Sequence, residues 1–125
     1  MFTIKDVAKR GGPHIPHRKL KKHILGDSYN LSLVLCDSKF IENLNKRYRN
    51  KDKTTNILSF PISKDTGEIF LNVKEIKREA KNNFIPVRKY YARIFIHGLL
   101  HLKGYSHSSK MDNEEQKVLG QFGIS

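Results

Sequence analysis

Between Pro86 and Gly104, apolar residues recur at helical spacing over the longest regular stretch of the chain. At about 100° per residue, Val87, Tyr90, Tyr91, Ile94, Phe95, Gly98 and Leu102 share one stripe. Ile96, Leu99 and Leu100 are apolar on the opposite side. A helix with two apolar sides is covered on both, so residues 87–103 are expected to form the buried spine of the fold. The rest of the chain is more broken. Gly11, Gly12, Pro13 and Pro16 interrupt it early, and a basic, weakly amphipathic stretch then runs to Gly26. Leu31 to Cys36 is short, apolar and bounded by turn formers, which predicts a strand. Ser38 is placed to cap a helix that carries Ile41, Leu44 and Tyr48 on one face. A second strand is expected from Thr54 to Phe60, ended by Pro61, and a third from Glu68 to Leu71 after the turn at 64–67. A charged helix over 73–82 and a short one around 112–119 complete the list. There is no internal repeat. These elements predict a single small α+β domain over residues 1–125, because strands and helices do not alternate regularly.

Composition narrows the class. At 125 residues with 38% apolar and 29% charged positions, the chain is expected to build one core and to be ordered. Cys36 is its one cysteine, which excludes an intrachain disulfide and a cysteine-rich metal site and favours a reducing, cytoplasmic setting. The N-terminus lacks the apolar stretch of a signal peptide. Leu33 to Cys36 and Ile94 to Ile96 fall far short of the ~20 apolar residues that cross a bilayer, so no membrane span is expected.

Charge points to a partner. The 24 Lys and Arg outnumber the 12 Asp and Glu, for a net charge of +12. The excess concentrates at 17–23 and at 46–53. Such a balance is expected to meet a polyanion, most often nucleic acid.

The chemistry sits in His97-Gly-Leu-Leu-His101-Leu-Lys-Gly104-Tyr-Ser-His107. His97 and His101 lie one helical turn apart, with β-carbons ~5–6 Å from each other, so their imidazoles can converge on one ion. Gly104 suits a left-handed helix end, after which the chain folds back and His107 approaches from a loop. Three neutral nitrogen ligands with a fourth position open are the mark of a catalytic zinc site. His14, His17 and His23 sit among cations, which oppose metal binding, and are read as surface residues; Cys36 is read as core. The same histidine spacing occurs in metalloproteases, but those carry a glutamate after the first histidine, and here that position is Gly98. Without this proton acceptor, worth ~100- to 10,000-fold in rate, peptide hydrolysis is disfavoured. A zinc ion can still polarise a phosphoryl oxygen, and with the positive charge this favours phosphodiester cleavage.

Two blocks of the chain resemble the YbeY endoribonucleases. One is Leu44 to Pro61, with its LN, YR, KDK and LSFP; the other is His97 to His107, which matches HGxLHLxGYxH. Gly67 to Ile69 and Lys77 to Ala80 are similar to a family strand and helix, so the likeness spans roughly residues 31–119. The resemblance implies an α+β fold with a mixed sheet and a central, zincin-like, metal-bearing helix. It also implies one zinc ion, or another divalent transition metal, on His97, His101 and His107. The implied activity is single-strand-specific endoribonuclease cleavage in ribosomal RNA maturation, at the end of small-subunit rRNA, and in ribosome quality control. The implied partners are single-stranded rRNA and the small ribosomal subunit. The family's functional arginine corresponds to Arg49, whose guanidinium suits a phosphate contact. Where the family usually has aspartate before the third histidine, this chain has Ser106; Asp112, Glu114 and Glu115 are the nearby carboxylates. That departure keeps open an alternative, a ribosome-associated RNA-binding assembly factor with a structural metal and marginal catalysis.

Overall fold

A computed structural model describes residues 1–49 and 54–124, for Arg49 the backbone alone. Among the described residues the chain forms β1 (Phe2–Asp6), α1 (His17–Leu25), β2 (Asn30–Cys36), α2 (Ser38–Arg49), β3 (Ile57–Ser63), β4 (Thr66–Asn72), α3 (Val73–Asn82), α4 (Val87–Lys103) and α5 (Ser109–Gln121). The fold is α+β. Its sheet has the order β1-β2-β4-β3, with the first three strands parallel and β3 antiparallel to β4. The sheet is therefore mixed. None of the described helices is long and apolar enough to cross a membrane.

Alternation along the strands sorts side chains between two cores. Leu31, Leu33 and Leu35 of β2 and Ile69 and Leu71 of β4 turn to one face, under α1, α3, α4 and α5. Val34, Cys36, Leu58 and Phe70 turn to the other, which α2 covers with Ile41 and Leu44. Helix α4 is the spine that its pattern predicts. Its buried face, however, is built from Tyr91, Ala92, Phe95, Ile96, Leu99 and Leu100, whereas Tyr90 and Ile94 are only half-buried. The reason is that the helix is not covered all round: one flank borders a cleft. Each large side chain removed from water in this core contributes roughly 1.5–3 kcal/mol.

Several boundaries differ from the sequence expectation, each for a local reason. β1 is not foreseen by the sequence pattern, because its five residues are mostly exposed and alternate weakly. Backbone pairing along β2 holds it, and its Asp6 carboxylate then accepts from the N–H groups of Lys9 and Gly11 at 2.8 and 2.7 Å. The cap of α2 is Asp37, not Ser38: Asp37 Oδ1 accepts from Phe40 N at 2.9 Å, while Ser38 Oγ accepts from Asn72 Nδ2 at 3.0 Å. β3 starts later than expected and runs through Pro61, with a register irregularity between Pro61 and Ser63. An edge strand tolerates proline because the missing N–H faces no neighbour. α5 begins earlier than expected because Ser108 caps it, accepting from Met111 N at 3.3 Å.

Candidate active site

Helix α4 presents His97 and His101 on the flank that borders the cleft. Gly104 ends the helix at φ 115°, the left-handed region in which a side chain would be strained. The N–H of Gly104 turns back to the His101 carbonyl at 3.1 Å and that of Tyr105 to the Leu100 carbonyl at 3.0 Å. This reversal carries His107 back over the helix, so that its ring centroid lies 4.7 Å from that of His97. The expected hinge is therefore present, and all three histidines line one cleft of about 770 Å³.

Helix α5 then packs against α4 and contributes a buried carboxylate. Glu115 is 3% exposed, and its Oε1 accepts a short hydrogen bond from His97 Nδ1. Its second oxygen, Oε2, lies 3.7 Å from Arg93 Nε. A carboxylate at Nδ1 fixes the tautomer, because an ionised carboxylate only accepts. His97 Nε2 is left as the basic nitrogen. Asp112 also lines the cleft, whereas Ser106 is exposed and its carbonyl accepts from Ser108 Oγ at 3.2 Å.

The opposite wall is the segment Thr55 to Phe60, the loop into β3 and its first turns of extended chain. Gly98 explains how closely helix and strand approach. A β-carbon there would stand 2.7 Å from Ile57 Cδ1 and 3.1 Å from Ile69 Cδ1. Ser59 Oγ donates to the Gly98 carbonyl at 3.3 Å across the same junction. The position that holds a glutamate in metalloproteases of like spacing is here buried against two isoleucines. At one end of the cleft, Asn56 Nδ2 and Tyr90 Oη both donate to Glu79 Oε1, at 2.9 and 3.1 Å. Burial, and after it the bond to Glu79, raise the Tyr90 phenol above its ordinary pKa.

Three imidazoles on one cleft fit a divalent transition metal in donor type and location, and the Glu115 bond orients His97 as metal-ligating histidines usually are. As the side chains stand, no three His, Cys, Asp or Glu among the described residues are grouped closely enough to hold an ion. Arg49 ends α2; its side chain lies outside what the structure describes. The surface reading holds for His14 and His23 but not for His17. That ring is half-buried, with Nε2 2.9 Å from Tyr91 Oη and Phe95 packed edge-on against it. Two contributors escape the sequence reading. Arg93 sits four residues before His97, a helical signal that is legible in retrospect. The β3 wall has no such signal, since only tertiary packing sets it beside α4.

The family model described as "Endoribonuclease YbeY" matches residues 8–123. A protein of that name from a Wolbachia of Drosophila simulans is 38% identical over 106 residues, covering 77% of this chain and 71% of its own. Another, from Francisella tularensis subsp. holarctica, is 37% identical over 121 residues, covering 84% of this chain and 74% of its own. The solution structure of a Thermotoga maritima protein superposes with a TM-score of 0.66 at 25% identity, over 98% of this chain and 92% of that one. The matched span takes in both histidine-bearing segments and the strand that faces them, and the chain belongs to the YbeY endoribonuclease family.

Proposed function

We propose that this protein is a metal-dependent, single-strand-specific endoribonuclease of the cytoplasm. Its substrate is ribosomal RNA, with the end of small-subunit rRNA as the processing site and the small subunit as partner, and it serves ribosome quality control as well. The observation that carries the reading is the cleft lined by His97, His101, His107 and a buried Glu115 bonded to His97, in a chain whose relatives are named endoribonucleases.

His97, His101 and His107 would hold one zinc or similar ion; His101 and His107 are exposed, and exposed side chains reorient rapidly. A bound ion of this kind supplies Lewis-acid polarisation of a phosphoryl oxygen. The protein's own groups do the rest. Glu115 holds the Nδ1 proton of His97 and keeps its Nε2 turned to ligation. Arg49 offers a planar two-pronged donor to a phosphate and stabilises charge that develops on it. Arg93, on the cleft wall, adds positive charge beside the same site. Asp112 places a carboxylate near the water side of the cleft.

The test is to incubate zinc-loaded protein with a single-stranded RNA carrying the small-subunit rRNA end, and with the same sequence as a duplex, and to analyse the new termini. Cleavage of the single strand, lost in His97→Ala, His101→Ala and His107→Ala, is the expected result. A 5′-phosphate terminus identifies water as nucleophile, and a cyclic phosphate identifies the 2′-hydroxyl. RNA that is bound but left intact would establish the assembly-factor reading instead.

A further inference from the structure

The cleft does not end at its histidines. Phe60, on its β3 wall, continues outward into a row of aromatic rings on the α2 side of the sheet. Tyr48 lies with its ring centroid 6.0 Å from that of Phe60 at an interplanar angle of 66°. Phe70 follows at 5.9 Å from Phe60, and Phe40 at 6.0 Å from Phe70. Phe70 is core, but Tyr48 is 63% exposed and Phe40 39% exposed. Tyr48 therefore spends little of its ring on the fold. Its edge-to-face contact with Phe60 leaves at least one ring face uncovered by that neighbour.

The surroundings are cationic. Along α2 the described cations Lys39, Lys46 and Arg47 outnumber the one acid, Glu42. Arg47 precedes Tyr48 and lies two turns after Phe40 on the same side of α2. Exposed aromatic rings on a cationic helix, joined to the cleft wall through Phe60, fit a strand of nucleic acid whose bases are free to stack while its phosphates meet the cations. A paired duplex would not offer its base faces.

We propose that Tyr48, supported edge-on by Phe60, is a base-stacking site that receives an unpaired nucleotide of the RNA as it enters the cleft. The inference rests on the RNA reading above and adds to it a binding residue whose role is recognition. Base–aromatic stacking tolerates any base, so this site distinguishes a strand with accessible bases from one without, and not one sequence from another.

The experiment compares two fluorescein-labelled probes by anisotropy: a twelve-nucleotide oligoadenylate and a twelve-unit abasic ribose-phosphate of equal charge. Wild type, Tyr48→Ala and Tyr48→Trp are each titrated at several salt concentrations. Tyr48→Ala is expected to lose roughly ten-fold in affinity for oligoadenylate, with an unchanged salt slope, and to bind the abasic probe as wild type does. Tyr48→Trp is expected to keep the affinity. Because the chain has no other tryptophan, its emission should be quenched by oligoadenylate and not by the abasic strand. Equal losses on both probes, or a Tyr48→Ala affinity for oligoadenylate within two-fold of wild type, would overturn the stacking site while leaving the RNA reading in place. Wild type that binds neither probe would overturn both.

Discussion

Glu115 and His17 are the two side chains whose surroundings do most to define their chemistry. Glu115 is a buried carboxylate whose oxygens are divided between His97 Nδ1 and Arg93. If it orients His97 for ligation, Glu115→Gln should weaken zinc binding by about 10- to 100-fold, because the amide still accepts the Nδ1 proton but adds no charge. Competition of the protein with a chromophoric chelator measures this directly; affinities within two-fold would leave Glu115 as a partner of Arg93 only. His17 has its pKa lowered from the ordinary 6.5, mainly by burial against Tyr91 and Phe95 and also by the charge of His14, with the backbone bond to Ile15 opposing. The folded state thus prefers the neutral ring, and the unfolded chain binds the extra proton. Stability from this group is full above about pH 6.5 and is lost as pH falls from there toward the depressed folded value. Urea midpoints followed from pH 8 to 5 should drop for wild type and drop less for His17→Gln. Parallel curves would show that His17 carries none of the acid sensitivity. For Arg49, Arg49→Lys at saturating RNA should cut single-turnover cleavage by roughly a hundred-fold, since lysine keeps charge but loses the planar fork. A rate within a few-fold of wild type would reduce Arg49 to part of the basic footprint.

At the scale of elements, α4 performs two tasks with different demands. One flank packs Tyr91, Phe95 and Leu99 into the core, and the other holds two histidines at the edge of water. Gly98 lies between these demands, where β3 and β4 come closest to the helix through Ile57 and Ile69. Restoring the protease-like glutamate at this position should not restore a proton acceptor. Gly98→Glu is expected to cost about 1–3 kcal/mol, because its β-carbon would press on Ile57 Cδ1 and force the junction of α4 with β3 and β4 to give. Denaturant unfolding compares it with wild type; a loss below about 1 kcal/mol would show that β3 yields easily and that the approach is not the reason for glycine. The edge position of β3 has a related consequence. Pro61 is accommodated because β3 is a terminal strand of the sheet, where a missing N–H can face away from β4, and the preceding residues of the same strand form the second wall of the cleft.

At the scale of the whole molecule, net charge decides how the protein meets RNA. With +12 overall and basic clusters at 17–23 and 46–53, binding should release many counterions. Affinity for single-stranded RNA is expected to fall by orders of magnitude between 50 and ~200 mM salt. A flat response in the same titration would mean that the charge serves solubility alone.

Local pattern carried much of this molecule. The span of α4, its glycine stop and the three histidines around it were legible because a 3.6-residue period and a left-handed turn are short-range properties, written within a few residues of one another. The apolar run of β2 and the charged helix α3 were legible for the same reason. What local pattern does not contain is pairing. β1 has too little apolar character to announce itself and exists because β2 offers it a parallel edge. His17, surrounded by cations in the chain, is half-buried because α1 packs on α4 and sets it against Tyr91. Three carboxylates follow His107 at nearby positions, and only the packing of α5 against α4 selects Glu115 for His97 and leaves Asp112 at the cleft rim. Sequence determines which side chains are available and how each helix faces; the closing of one element on another decides which of them touch, because contact depends on distances that no single segment encodes.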